Sequence, residues 1–158
     1  MKKINLTDGT TMCFSDFGTL QNVAPTISGC SNPTGLEQSD VYVTTLTGVN
    51  GACNTAVGWN TLCSNTTGNS NTAVGFLSLR CNTTGCRNSA SGYYSLLANT
   101  TGCLNTASGY RSLYANTTGS CNVAVGSYAL KSNTTASDIA AVGFYALSLN
   151  TTGASNAA

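Results

Sequence analysis

The feature that most constrains this chain is a repeat of constant length. A glycine recurs every 17 residues through six copies, without insertion or deletion. These glycines are Gly58, Gly75, Gly92, Gly109, Gly126 and Gly143. A unit of this length is too short for a helix pair, whose repeats need about 33 residues or more. Each unit is therefore expected to form one coil of a solenoid.

The segment around each glycine alternates between two faces. Residues 71–76 read Asn-Thr-Ala-Val-Gly-Phe, with Asn, Ala and Gly on one face and Thr, Val and the ring on the other. Such alternation indicates a β-strand. The Asn-Thr-Thr-Gly that follows is typical of a type I β-turn, with asparagine first and glycine fourth. We predict an all-β fold, a parallel β-solenoid (β-roll) of 17-residue coils. Each coil should contain two short strands and two turns.

Two further rows keep the same period and are predicted to form the solenoid core. The alanines are Ala56, Ala73, Ala90, Ala107, Ala124 and Ala141, and the leucines are Leu62, Leu79, Leu96, Leu113, Leu130 and Leu147. Because each residue lies over its counterpart in the next coil, alanine should let the walls approach closely while leucine fills the interior. Inward asparagines should form hydrogen-bonded amide ladders, and Ile139 interrupts one of these rows.

The first 50 residues differ in composition from the repeat. They contain four of the five acidic residues and both prolines. Solenoids need capping segments at their ends. We therefore divide the chain into residues 1–50, a cap or connector with an entering strand near residues 41–46, and residues 51–158, the repeat solenoid.

An apolar row one residue after the glycines is the candidate subunit interface. Its aromatic members are Trp59, Phe76, Tyr93, Tyr110 and Phe144, and the neighbouring row contributes Val57, Val74, Val125 and Val142. Facing outward, these side chains would form an apolar surface of several hundred Å2, larger than monomers usually expose. The alternative places the rings inside a wider single-chain roll, with the alanines outside.

The eight cysteines suggest one candidate disulfide. Cys81 and Cys86 flank an Asn-Thr-Thr-Gly turn, so that they are the better pair on geometric grounds. Cys86 and Cys103 occupy the same repeat position and should stack, either as small buried hydrophobic residues or as a disulfide.

Composition excludes several classes of function. The sequence contains no histidine and no Cys-x2-Cys pair, so we expect no metal site and no cofactor. Asp138 is the one acid within the repeats, which leaves almost no material for general acid–base catalysis, and we expect no enzyme activity. The six Lys and Arg are scattered and no long apolar run occurs, so we expect neither nucleic-acid binding nor membrane insertion.

The combination of motifs resembles a known class of repeat. Asn-Thr-Ala-Val-Gly, then leucine, then Asn-Thr-Thr-Gly is similar to tandem units of phage and bacterial fibre proteins, and more loosely to the heads of YadA-like trimeric autotransporter adhesins. The resemblance covers residues 51–158. It implies a left-handed roll, three chains side by side, and an extracellular location on a virion or cell surface. The sequence predicts neither a heptad stalk nor a membrane anchor, and in this respect it departs from the adhesins.

Two functions follow as hypotheses. The first is a structural or adhesive fibre segment, a homotrimer that buries the aromatic row between chains and presents its surface to a receptor or glycan. The second is a self-polymerising extracellular filament of rolls stacked end to end. The second is suggested by the opposite net charges of the two segments. The first 51 residues contain Lys2, Lys3 and four acidic residues, whereas the repeats contain four basic residues and one acid, Asp138. It is also suggested by a last repeat that stops in mid-strand, since an uncapped edge recruits another strand.

Overall fold

The computed structural model describes three short strands in the N-terminal part of the chain and all of residues 53–158. The chain forms two compact units, Met1–Ser31 and Asn32–Ala158. In the first unit, β1 (Lys2–Asn5) and β2 (Thr11–Phe14) pair in antiparallel fashion, with Lys2 opposite Phe14. The rest of the predicted cap or connector lies outside the described residues, apart from β3 (Val43–Thr44) in the second unit.

The second unit contains a seven-stranded sheet in which each coil contributes one strand. After β3 come β4 (Thr55–Val57), β5 (Thr72–Val74), β6 (Ser89–Ser91), β7 (Thr106–Ser108), β8 (Val123–Val125) and β9 (Ala140–Val142). From β4 to β9 every neighbour is parallel and shifted by one repeat, so that Ala56 lies opposite Ala73 and Ala73 opposite Ala90. Strand β3 instead pairs antiparallel with β4. The predicted all-β solenoid with parallel coils is confirmed.

The leucine-bearing side of the coil is not a regular strand, which corrects the prediction of two strands per coil. Asn60 and Leu62 have φ of 51° and 52°, and the same two positions have positive φ in every coil. This side still binds the next coil, because the Leu62 N–H donates to Ser78 O at 3.1 Å and the Ser64 N–H to Arg80 O at 3.0 Å. Left-handed residues bend the backbone more sharply than an extended strand does. A 17-residue coil can therefore close on itself.

Backbone N–H groups of the Asn-Thr-Thr-Gly loop donate to the next coil. The Gly68 N–H donates to Thr83 O in the next coil, and the N–H groups of Thr66 and Thr67 converge on the same oxygen, at 2.9 to 3.2 Å. The loop is closed by a side chain, since Asn65 Nδ2 donates to Gly68 O at 2.9 Å. The loop therefore joins coils as well as reversing the chain.

The interior contains the predicted alanines and leucines. All six alanines and the first five leucines are buried, whereas Leu147 in the last coil is partly buried against the same cluster. A third inward row, three residues after the glycines, was not predicted and includes the buried Ser78, Ser95 and Ser112. These hydroxyls bond to carbonyl groups, as when Ser95 Oγ donates to Gly92 O at 3.1 Å. The serine hydroxyl therefore has a hydrogen-bond partner in this position although it is removed from water.

Two ladders of asparagine amides run along the stack, as the sequence predicts. In the first, Asn71 Oδ1 accepts the N–H of Asn88 at 3.0 Å, and Asn71 Nδ2 donates to Gly85 O at 2.9 Å. In the second, Asn99 Nδ2 donates to Asn82 Oδ1 at 2.8 Å. Ile139 interrupts the first row of amides before Asn156, but its backbone N–H still donates to Asn122 Oδ1 at 3.1 Å. Buried polar groups therefore hold successive coils in one register.

Candidate functional site

The predicted interface residues lie on the outer surface of the coils. Thr72, Ala73 and Val74 alternate exposed, buried and exposed along β5, so that the alanines face the interior and the valines face outward. Tyr93 and Tyr110 are exposed, while Trp59, Phe76 and Val57 are partly covered. Val125, Val142 and Phe144 are also exposed. The alternative of a wider roll with enclosed rings and outward alanines is therefore wrong.

The rings form one continuous line of contacts, which the sequence did not reveal. Trp59, Phe76 and Tyr93 stack with centroids 4.9 Å apart, and Tyr93 meets Tyr110 at 5.7 Å. Ser127 interrupts the row at the next coil. There Tyr128, one residue further on, contacts Tyr110 at 5.1 Å and Tyr145 at 4.6 Å. We call this line the aromatic strip; its members are Trp59, Phe76, Tyr93, Tyr110, Tyr128 and Tyr145.

Arginine lies against the middle of the aromatic strip. The Arg111 guanidinium carbon is 5.5 Å from the ring of Tyr94 and 5.3 Å from those of Tyr110 and Tyr114. Lys131 similarly lies 5.5 Å from the Tyr128 ring. These cation–π contacts hold positive charge against apolar surface. Tyrosine and arginine are the residues that most often dominate binding energy at protein interfaces. The sequence signal for this cluster is one basic residue at the position that Tyr94 and Tyr128 occupy in neighbouring coils.

Hydrogen bonds between tyrosines should alter their titration. A hydrogen bond with Tyr94, and then partial desolvation, raise the pKa of Tyr93, and the bond with Tyr110 similarly raises the pKa of Tyr128. A raised folded-state pKa means that this contribution to stability is present below the ordinary tyrosine pKa of about 10 and is lost as pH rises through the folded value. We expect site-resolved NMR of the ring carbons to show Tyr93 titrating late. Tyr94→Phe should return it towards the ordinary value, and an unchanged Tyr93 midpoint would contradict the assigned bond.

The cysteines are arranged differently from the predicted pair. Cys81 and Cys86 are free thiols, as are Cys53, Cys103 and Cys121, whereas Cys63 is disulfide-bonded. Cys86 stacks on Cys103, as their shared repeat position predicts, and the two Sγ atoms lie 2.7 Å apart. The candidate Cys81–Cys86 disulfide is therefore corrected. Stacking brings together residues one repeat apart, and Cys86 consequently meets its counterpart in the next coil rather than the cysteine across the loop.

Other kinds of site are not evident in the part of the chain that the structure describes. No group of three or more His, Cys, Asp or Glu side chains is placed there to hold a metal ion. The described residues also contain no helix of the length and apolarity required to cross a membrane. Comparisons with protein families, with curated proteins and with solved structures find no match to this chain.

Proposed function

We propose that this chain is a structural segment of an extracellular fibre, in which copies of the chain associate along the aromatic strip. The observation that carries the proposal is the exposure of that strip on a stack whose interior is otherwise packed and hydrogen-bonded. The interior is closed by alanine, leucine and amide ladders, yet Tyr93 is 44% exposed and Tyr110 is 38% exposed. Monomeric proteins rarely leave a contiguous apolar surface of this kind uncovered.

The composition of the surface supports contact between chains. Interface cores are enriched in tyrosine, tryptophan, phenylalanine and arginine and are depleted in acidic residues. The aromatic strip has this composition, and Val74 beside it is 41% exposed. Covering one such side chain contributes roughly 1.5–3 kcal/mol if it is buried completely, and several rows along the stack would add to one another. A long repetitive contact of this kind is suited to a fibre.

The finer features of the proposal come from the resemblance of the repeats. Phage and bacterial fibre repeats imply a left-handed roll and a homotrimer on the surface of a virion or a cell. In this assignment residues 1–50 are a cap or connector, and the outer face of the trimer is available to a receptor or glycan. No catalytic activity is assigned to the chain.

The assembly is tested by placing charge on the exposed surface. Val74→Asp combined with Tyr93→Asp leaves both new carboxylates in solvent in a single chain, but buries them if the strip lies between chains. We expect the wild type to have the mass of a trimer in analytical ultracentrifugation. The double variant should be a monomer that retains its β circular dichroism, because a buried unpaired charge is costly.

A matched control adds the same charges to the same two coils elsewhere. Thr84 and Thr101 are exposed in the Asn-Thr-Thr-Gly loops, so Thr84→Asp with Thr101→Asp should remain trimeric. A monomeric wild type would overturn association along the strip. Negative-stain images of long threads of uniform width would favour the end-to-end filament over discrete trimers.

A further inference from the structure

The position that follows the Asn-Thr-Thr loop has the same structural task in three successive coils, at Cys103, Ser120 and Ser137. Its side chain accepts a hydrogen bond from the backbone N–H of the same position in the preceding coil. The Cys86 N–H donates to Cys103 Sγ at 3.0 Å, and the Cys103 N–H donates to Ser120 Oγ at 3.0 Å. The Ser120 N–H donates in turn to Ser137 Oγ at 2.9 Å. Serine therefore performs this task in two coils, and sulfur is not required for it.

The two coils that carry cysteine bring their sulfur atoms together. Cys86 Sγ donates to Cys103 Sγ at 2.7 Å, and both side chains are partly buried. The Leu104 N–H donates to Cys86 O at 2.9 Å and fixes the spacing of the two coils beside the pair. Coils in parallel register lie about 4.8 Å apart, which is within the Cα separation that a disulfide bridges. Bond formation therefore needs only a small side-chain movement.

We propose that Cys86 and Cys103 form a redox modification site, which a low-molecular-weight disulfide such as oxidised glutathione converts into a covalent bond between neighbouring coils. This site is independent of the assembly surface and goes beyond the proposed function. Serine makes the same backbone hydrogen bond in the following coils, so this bond alone does not explain why cysteine occupies positions 86 and 103.

The two thiols are hydrogen-bonded to each other and to the neighbouring backbone. Cys103 Sγ accepts hydrogen bonds from both the N–H and the S–H of Cys86. The same S–H bond, followed by desolvation, raises the pKa of the Cys86 thiol. In the reduced pair the Cys103 thiol also lies 3.5 Å from Thr101 O. The two sulfur atoms are close enough for either one to resolve a mixed disulfide formed on the other.

The exchange balances in two steps. One cysteine of the pair, as the thiolate, attacks one sulfur of the small disulfide, which breaks the S–S bond and releases one small thiol after protonation. The other cysteine then loses its proton to solvent and attacks the protein sulfur of the mixed disulfide, which releases the second small thiol. Two protein thiols are oxidised, one small disulfide is reduced, and one cystine remains.

Peptide mapping of the whole protein tests the proposal directly. The chain is equilibrated in a glutathione buffer at about −200 mV, the potential of an oxidising secretory compartment, and is then quenched and digested with trypsin. Cleavage after Arg80, Arg87 and Arg111 places Cys86 in residues 81–87 and Cys103 in residues 88–111. We expect these two peptides to be joined and to separate on reduction. Because Cys81 shares the first peptide, the same result in Cys81→Ser assigns the bond to Cys86.

Thermal melting provides the second measurement. Oxidation closes a loop of one coil, which removes freedom from the unfolded chain, and should raise the Tm by about 5–10 °C. The double variant Cys86→Ser with Cys103→Ser reproduces the arrangement at Ser120 and Ser137. It should melt near the reduced wild type and should not respond to glutathione. Free thiols at both positions after equilibration would overturn the proposal. A disulfide within residues 81–87 would overturn it too, since it would join Cys81 to Cys86.

Discussion

Gly109→Ala is expected to prevent the stack from folding around the fourth coil, because it lowers the free energy of unfolding by more than about 4 kcal/mol. Gly109 has φ of +130°, a conformation that side-chain-bearing residues rarely adopt. A Cβ built there lies 2.7 Å from the backbone C and O of Gly126 in the next coil. Backbone atoms of a packed coil cannot move aside without breaking the parallel ladder. The effect is measured by urea denaturation followed by far-ultraviolet circular dichroism.

Gly143→Ala separates the two causes of this loss. Gly143 has nearly the same backbone conformation, with φ of +135°, but a Cβ there meets nothing closer than Ala146 Cβ at 3.9 Å. We expect Gly143→Ala to lower the free energy of unfolding only by the cost of the strained backbone conformation, about 1–3 kcal/mol. Equal losses in the two variants would mean that close approach between coils is not what requires glycine.

Leu96→Ala is expected to lower the free energy of unfolding by about 2–5 kcal/mol. Leu96 is 0% exposed and lies between Leu79 and Leu113 in the interior row. Its φ is +51°, and alanine meets the same backbone penalty as leucine, so the measured difference reports the lost contacts and the cavity. The comparison again uses urea denaturation.

The neighbouring residue is the control for this substitution. Leu97 is partly exposed, and Leu97→Ala should cost about 1 kcal/mol or less. A cost below half a kcal/mol for Leu96→Ala, or equal costs for the two variants, would contradict the assignment of the interior row.

The arrangement of residues between coils could be read from the sequence. A constant period places Ala73 over Ala56 and Asn82 over Asn65, whatever path the chain follows within a coil. Alternation along residues 71–74 then decides which side chains face inward. Parallel strands, the alanine row and the amide ladders all follow from these two regularities, because stacking is a translation that repeats identical contacts.

The path within one coil was decided by the tertiary structure. Alternation cannot show that Asn60 and Leu62 take positive φ, since leucine has no preference for that conformation. Nor can it show that Gly68 donates to the next coil, because asparagine and glycine in this spacing predict a turn without indicating its partners in the neighbouring coil. These choices depend on which carbonyl groups the neighbouring coil presents.

Contacts between different repeat positions were also beyond the sequence. Tyr128 continues the line of rings past Ser127 although it occupies another row, because long side chains reach diagonally across adjacent coils. The period by itself determined which residues lie one above another. Only the folded backbone decided how far each side chain extends, and therefore which side chains contact each other on the outer surface.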